Sequence, residues 1–296
     1  MNGGLDAVVR PLVGVVGRGV VDGDEPVAFG DDLGLLRGDG CFDATLVRTG
    51  ADGISAVDHL DRHLARLRRS AQLMGIPLEA APSDQDWRTT VEAVLAAWTS
   101  PGEGVMKLVL THGREFDASA PPYAQVVVAP LGPAIARERQ GLHAVTLTRG
   151  YPLGVFADAP WLLGGVKSVS YAVHLAARRE AESRGADDAL FVTTDGYALE
   201  GPTSALVWAR DGALLSTRHG DTGVLASITQ EVIFENAAAQ GMTCGYDVIL
   251  AADLGGVDGA WLVSSGRGAA PIMRLNGAEQ PFDQALHDRV AGFAWG

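Results

Sequence analysis

The chain has 296 residues, a formal net charge of −13 at pH 7 and 47% hydrophobic residues. This length and apolar fraction predict a globular protein of one large or two modest domains, and they argue against intrinsic disorder. An acidic chain without basic clusters is a poor candidate for binding nucleic acid or anionic membranes.

Two helices are predicted in the first hundred residues. Apolar residues recur at helical spacing over residues 58–75, with Asp58 as the expected N-cap and Gly75, followed by Pro77, as the stop. A second helix is expected over residues 83–98, which ends before a Pro-Gly pair.

Two continuously apolar runs, 105–110 and 125–129, predict strands that are buried on both faces. The Pro-Leu-Gly-Pro stretch that follows, and the charged residues after it, break this pattern. We therefore predict an interdomain linker over residues 131–140. It separates an N-terminal domain with alternating strands and helices, residues 1–130, from a C-terminal domain, residues 141–296.

The C-terminal half is predicted to be rich in hairpins. Asp-Gly pairs at 195–196 and 211–212 each follow a short apolar run, which is a typical hairpin signal. The other elements expected here are strands at 143–148, 189–193, 206–209 and 261–264 and helices at 168–184 and 228–240. This mixture favours the α+β class over a doubly wound sheet.

Several common site signatures are absent from the sequence. It contains no Gly-Lys-Ser/Thr of a phosphate-binding loop, no His-Glu-x-x-His, no zinc pattern and no Gly-x-Ser-x-Gly, so no metal is expected. Cys41 and Cys244 are too few for a disulfide framework, and no apolar window is long enough to span a membrane. No signal-peptide pattern is found at the N-terminus, so we expect a soluble, cytoplasmic protein.

The chain has only two lysines, Lys107 and Lys167, beside 21 arginines. Lysine is the residue for Schiff-base chemistry, because its amine can lose its charge and a guanidinium cannot. Lys107 lies within a predicted strand, where an exposed lysine is ordinary. Lys167 follows the pair Gly164-Gly165 at a predicted strand-to-helix junction, where either a surface lysine or a reactive one is compatible with the pattern.

From Lys167 onward the chain resembles the fold-type IV pyridoxal-phosphate enzymes, the family of branched-chain and D-amino-acid aminotransferases and aminodeoxychorismate lyases. An upstream His63-Leu-Ala-Arg66-Leu matches a helix of that family. The other matching segments, in order, are Lys167-Ser-Val-Ser-Tyr171, the run from Gly185 to Glu200-Gly201-Pro-Thr-Ser204, Gly223-Val-Leu-Ala-Ser-Ile228-Thr229-Gln230 and Ala260-Trp-Leu-Val-Ser-Ser265.

The resemblance implies a role for each of these residues around pyridoxal 5'-phosphate. Lys167 would bind the cofactor covalently and then serve as base and acid at the substrate carbon. Glu200 would face the pyridine nitrogen and keep it protonated, which makes the ring an electron sink. The phosphate would be bound by residues from three segments, namely Arg66, Ile228, Thr229, Ser265 and Gly266.

The segment Gly38-Asp39-Gly40-Cys41-Phe42 resembles aminodeoxychorismate lyases more than branched-chain aminotransferases, and Gln230 replaces an arginine common in aminotransferases. We therefore predict a 4-amino-4-deoxychorismate lyase that eliminates pyruvate to give 4-aminobenzoate for folate synthesis. Arg114 is the candidate partner of the substrate carboxylates. The alternative is an aminotransferase for a branched-chain or D-amino acid, and a third possibility is a non-catalytic relative that only binds the cofactor or a phosphorylated metabolite.

The resemblance also implies an architecture. It consists of a smaller N-terminal α/β domain and a larger C-terminal pseudo-barrel domain that carries Lys167, with the cofactor at their interface. The family further implies a homodimer.

Overall fold

The computed structural model describes residues 10–295. They form two compact units. The first comprises residues up to Gly132 together with Lys167–Ser170, and the second comprises Pro133–Val166 and the chain from Tyr171 onward. The α+β class is confirmed, since helices and strands are mixed in each unit.

The first unit is a six-stranded, fully antiparallel sheet in the order β2-β1-β6-β5-β3-β4. Two long helices pack on it, and their apolar faces join the buried side of the sheet in one core. Its elements are β1 (Leu12–Val15), β2 (Gly19–Val21), α1 (Leu33–Arg37), β3 (Gly40–Thr49), β4 (Ser55–Val57), α2 (Leu60–Met74), α3 (Asp84–Ala97), β5 (Gly102–Thr111) and β6 (Ala124–Pro130).

The second unit is built on a mixed nine-stranded sheet. Its main path is β12-β11-β10-β13-β14-β7-β8, with β9 paired to β10 and β15 paired to β14. The elements are α4 (Ala134–Glu138), β7 (Leu142–Thr148), α5 (Ala172–Ser183), β8 (Asp188–Val192), β9 (Glu200–Gly201), β10 (Ser204–Arg210), β11 (Ala213–Thr217), α6 (Ile228–Ala239), β12 (Thr243–Asp247), β13 (Gly259–Ser264), β14 (Gly268–Leu275), β15 (Ala278–Glu279) and α7 (Gln284–Phe293), with 3-10 turns at Val155–Ala157, Pro160–Leu162 and Ala251–Gly256.

Helix α2 confirms the predicted helix but not its predicted start. Gly75 ends α2 in the left-handed conformation that glycine favours, as expected. Asp58 was the wrong N-cap: His59 occupies that position, while the Asp58 carboxylate pairs with Arg48. The helix after Lys167 also begins later than predicted, at Ala172.

Strands β5 and β6 are confirmed, but burial on both faces is not. In the central part of each strand, fully buried residues alternate with partly exposed ones, and Lys107 is exposed. Antiparallel strands covered by helices on one face give this alternation. The two runs are largely apolar in sequence because valines lie on the partly exposed face of the sheet as well as on the buried face.

The division into units differs from the predicted domains at Lys167, which was assigned to the C-terminal domain. Residues 167–170 belong to the first unit because they pair with β3. Phe42 donates its N–H to the Lys167 carbonyl at 2.9 Å, and Val169 donates its N–H to the Gly40 carbonyl at 2.9 Å. The other boundary, at Gly132–Pro133, falls within the predicted linker, where residues 134–138 form α4.

Candidate active site

Lys167 is held in the first unit by main-chain and side-chain contacts. Besides the bond from Phe42, the Lys167 N–H donates to Ser70 Oγ at 3.3 Å. The Lys167 amine lies 4.8 Å from the centroid of the Phe42 ring, a distance at which a cation is attracted to the ring face. The side chain is half-buried. The main chain of Lys167 is hydrogen-bonded at both its N–H and its carbonyl, and its side chain is partly open to solvent. Such a lysine can react with a small molecule.

Arg66 belongs to a buried charge cluster on α2. Its Nε and Nη2 donate to the two oxygens of Asp43 at 2.8 and 2.7 Å. His63 Nδ1 also donates to Asp43, at 2.7 Å, because a carboxylate can only accept. Asp43 and His63 are almost fully buried, whereas 12% of the Arg66 side chain is exposed. Asp43 therefore fixes the direction of the Arg66 guanidinium.

The electrostatics of this cluster favour one charge state. Burial alone would raise the pKa of Asp43, but the charge and hydrogen bonds of Arg66, with His63, outweigh it and lower the pKa below its usual range. Burial lowers the pKa of His63, which keeps the imidazole neutral near pH 7. Asp43 was not among the predicted site residues, and His63 was predicted only as part of the segment that matches the family. An acid within a strand that is otherwise apolar is a signal of a buried, paired carboxylate.

Glu200 lies in β9 of the second unit, after the predicted turn at 195–196. Its Oε2 accepts a hydrogen bond from the Leu225 N–H at 3.2 Å. Burial raises the pKa of the nearby Tyr151 phenol, and the negative charge of Glu200 adds to that shift. Glu200 is half-buried, so its carboxylate can meet the ring nitrogen of a ligand.

The start of α6 lies three residues after Leu225. Ser227 caps the helix, because its hydroxyl accepts from the Gln230 N–H at 3.3 Å and its carbonyl accepts from Glu231. Helix geometry gives the N–H groups of Ile228 and Thr229 no acceptor within the helix. These donors and the Thr229 hydroxyl suit an anion at the positive end of the helix dipole. Through Leu225, Glu200 and this helix start are parts of one arrangement.

Ser265 and Gly266 form the tip of the hairpin between β13 and β14. The tip is half-exposed, and the Gly266 carbonyl accepts from Arg139 Nη2 at 2.6 Å. The next residue, Arg267, is buried and ion-paired. Sequence reasoning gave Arg267 no role, although a charge directly beside a buried strand has to be paired.

Arg114, the predicted partner of substrate carboxylates, is already paired in the first unit. Its Nε lies 3.0 Å from Asp31 Oδ1, its Nη1 lies 3.8 Å from Asp117, and its guanidinium covers the Phe29 ring. The hydrogen bond from Arg114 lowers the pKa of Asp31. A substrate carboxylate at Arg114 would therefore lie close to the negative charges of Asp31 and Asp117. The role of Arg114 in substrate binding stays a prediction.

The predicted site residues are thus divided between the units. The first unit holds Lys167, Arg66 and Arg114, and the second gathers Glu200, Ile228, Thr229, Ser265 and Gly266. The donor set fits pyridoxal phosphate: an amine for its aldehyde, a carboxylate for its ring nitrogen, and N–H and hydroxyl groups at a helix start for its phosphate. Among residues 10–295 no cluster of histidine, cysteine or acidic side chains could hold a metal ion. No helix in this part of the chain is long and apolar enough to cross a membrane.

Comparison with known proteins adds independent findings. Residues 40–275 match the amino-transferase class IV family. The chain is 40% identical over 266 residues to the bifunctional aminodeoxychorismate lyase / D-amino acid transaminase of Mycobacterium tuberculosis, with 86% of this chain and 88% of that protein covered. The fold resembles the PLP-bound form of a hypothetical aminotransferase from M. tuberculosis, with TM-score 0.87, 36% identity and coverage of 96% and 98%. It also resembles a fold IV-transaminase from Curtobacterium pusillum, with TM-score 0.86, 37% identity and coverage of 97% of both chains.

Proposed function

The chain belongs to the class IV aminotransferase family, whose members depend on pyridoxal phosphate. We propose that it is a lyase that converts 4-amino-4-deoxychorismate into 4-aminobenzoate and pyruvate, a step of folate synthesis. The observation that carries this proposal is the pairing of Lys167 with β3. The lyase-like segment Gly38-Asp39-Gly40-Cys41-Phe42 supplies the main-chain groups that hold the lysine, so the motif and the reactive residue are one structural element.

Bound pyridoxal phosphate stabilises negative charge at the substrate carbon that carries the amine. Lys167 Nζ would remove the proton at C4 of the substrate and then protonate the departing enolpyruvyl group, which leaves as pyruvate. The Phe42 ring, 4.8 Å from the amine, would limit where the lysine side chain can lie when it acts on the substrate. No amino acceptor is needed, because aromatisation of the substrate ring drives the elimination.

The remaining residues bind and orient. The Glu200 carboxylate would hold a proton at the ring nitrogen of the cofactor, and its bond from Leu225 fixes the carboxylate for that contact. The Ile228 and Thr229 N–H groups, with Ser265 and Gly266, would bind the phosphate. Arg66 would add a cation to that phosphate while Asp43 keeps its guanidinium in place.

A second candidate is amino transfer from a D-amino acid to a keto acid. The relative from M. tuberculosis that is 40% identical is named for both activities. The same Lys167 and Glu200 would serve either reaction, because both require a proton to be moved at the carbon that bears the amine. Transfer from a branched-chain amino acid stays the weaker alternative, since the segment before Phe42 resembles the lyases.

The first experiment identifies the reactive lysine. Purified protein should be yellow with cofactor, borohydride should bleach it, and peptide mapping should find the reduced cofactor on Lys167. Lys167→Ala should lose the chromophore and at least about 10²-fold in rate, because the acid–base group is gone. The matched control is Lys107→Ala, the other lysine, which is exposed on β5 and should keep colour and rate. A colourless wild type supplied with cofactor would overturn the assignment.

The second experiment separates the reactions. We expect wild-type protein to release 4-aminobenzoate and pyruvate from aminodeoxychorismate without any keto acid. Amino transfer from D-alanine to 2-oxoglutarate with no aromatic product from aminodeoxychorismate would establish the second candidate instead.

The proposal of a homodimer rests on the family resemblance. Light scattering of the purified protein at micromolar concentration should give twice the mass of the chain.

A further inference from the structure

Arg267 lies in a buried ion cluster that the proposed chemistry does not use. Only 2% of its side chain is exposed. Its Nε donates to Glu138 at 2.9 Å and its Nη2 donates to Asp188 at 2.8 Å. Both carboxylates are buried, with 3% and 0% of their side chains exposed. A sealed guanidinium between two acids cannot reach a ligand, so any contribution to binding has to be indirect.

The third contact of Arg267 connects it to the strand beside Glu200. Its Nη1 donates to Ser204 Oγ at 3.2 Å. Ser204 pairs with Gly201 across the turn from β9 to β10, and the next pair includes Glu200 itself. The Arg267 side chain therefore connects the hairpin tip after β13 with β10, the strand that is paired with β9 and so with Glu200.

The residues that flank the hairpin tip hold it in place. The Arg267 N–H donates to the Ser264 carbonyl at 3.1 Å, and the Arg267 side chain is anchored by its ion pairs with Glu138 and Asp188. Arg139 Nη2 also donates to the Gly266 carbonyl, within the tip itself. The loop between the paired strands has three residues, 265–267, and needs only the backbone bond from Arg267 to Ser264 to turn, so the buried arginine side chain does more than close the hairpin. Burying one arginine and two acids is costly, and such clusters are kept where they specify one arrangement.

We propose that Arg267 is a positioning residue for the cofactor phosphate. It fixes the tip at Ser265 and Gly266 relative to β9 and β10, so that the tip can contact the phosphate while Glu200 contacts the ring. This inference rests on the proposed function, because the tip is there assigned to the phosphate. The chemical class that Arg267 selects is a ligand with a phosphate ester as well as a pyridine ring.

The test compares two ligands, pyridoxal phosphate and pyridoxal, which lacks the phosphate. Their dissociation constants are measured by equilibrium dialysis with full-length protein freed of cofactor. Arg267→Lys keeps the charge but cannot bond to Glu138, Asp188 and Ser204 at once. We expect the preference for pyridoxal phosphate over pyridoxal to fall at least about tenfold, because the groups that bind the phosphate are displaced. Pyridoxal affinity should stay within about twofold. A folded variant with the wild-type preference would overturn the proposal.

Two further variants keep the test decisive if Arg267→Lys does not fold. Ser204→Ala removes one contact of the guanidinium and should lower the preference by about two- to threefold, since one hydrogen bond is lost. Arg178→Ala is the matched control, because Arg178 lies 4.0 Å from the same Glu138 but, among the described residues, makes no hydrogen bond to the tip. It should leave the preference unchanged. An unchanged preference in Ser204→Ala, or an equal loss in Arg178→Ala, would overturn the role of Arg267.

The wild type separates this inference from the proposed function. A wild type that binds both ligands equally would contradict the phosphate contacts themselves. A wild type with a strong preference that Arg267→Lys retains would contradict only the role of Arg267.

Discussion

Two buried charge clusters, one in each unit, have opposite compositions. In the first unit one acid, Asp43, is bonded by Arg66 and His63. In the second unit one arginine, Arg267, is bonded by two acids, Glu138 and Asp188. In the first cluster Asp43 and His63 are sealed and only Arg66 is partly exposed, whereas all three charged residues of the second cluster are sealed.

The difference separates two uses of arginine. Part of the Arg66 side chain is exposed, so Arg66 could contact a ligand while the buried Asp43 holds its guanidinium in place. Arg267 has no such access. Burial would lower the pKa of Arg267, but the charges of Asp188 and Glu138 outweigh it and raise the pKa, which keeps the cation in place. An arginine at a cluster edge is suited to binding, and one at a cluster centre is suited to positioning.

The largest expected effect on stability is at the sealed cluster. Arg267→Met should lower the free energy of unfolding by about 3–5 kcal/mol, because two buried carboxylates lose their cation. Urea unfolding followed by circular dichroism measures it. Arg184→Ala is the control: it breaks an exposed pair with Glu180 and should change stability by less than about 0.5 kcal/mol. Equal effects of the two variants would show that burial does not distinguish these pairs.

A smaller loss is expected at the cluster with an open edge. Asp43→Asn should cost about 1–3 kcal/mol, because the shape is kept and the Arg66 head can turn toward water. The same urea experiment applies, and a loss larger than that of Arg267→Met would invert the comparison. We also expect weaker pyridoxal phosphate binding, since Arg66 loses its direction.

The smallest effect is a pH dependence from His63. Its pKa is lowered in the folded chain, so the unfolded chain binds more protons once the pH falls below the ordinary value near 6.5. The stability that a neutral His63 contributes is therefore present above pH 6.5 and is lost as the pH falls toward the folded pKa. Between pH 7.5 and 5.5 the wild type should therefore lose more stability than His63→Asn, as measured by urea unfolding at the two pH values. Parallel stability curves for the two proteins would contradict a neutral His63.

Much of the fold could be predicted where periodicity or turn chemistry was strong. Helix α2 shows both, with its leucine spacing and Gly75, and the hairpin at 211–212 needed only its Asp-Gly pair. The start of α5 could not be predicted, because residues 168–170 contain no glycine or proline that would stop a helix. Their extended form depends on pairing with β3, more than a hundred residues earlier.

The candidate site divides in the same way. Lys167, Glu200 and the helix start at Ile228 were predicted because their residue types suit the cofactor and stand in recognisable segments. Asp43 and Arg267 were not predicted, because their buried ion pairs are long-range contacts that local sequence does not encode. Arg114 was predicted from its residue type alone; in the structure it is paired with Asp31 of the same chain, and its role toward a substrate carboxylate stays a prediction.

The pairing of residues 167–170 with β3 also sets an order of events during synthesis. The first unit has nearly all of its residues once Gly132 has left the ribosome, yet Phe42 and Gly40 can bond to Lys167 and Val169 only when Val169 has emerged. By then the first part of the second unit has been made. The segment that carries Lys167 is therefore the last piece of the first unit to be added.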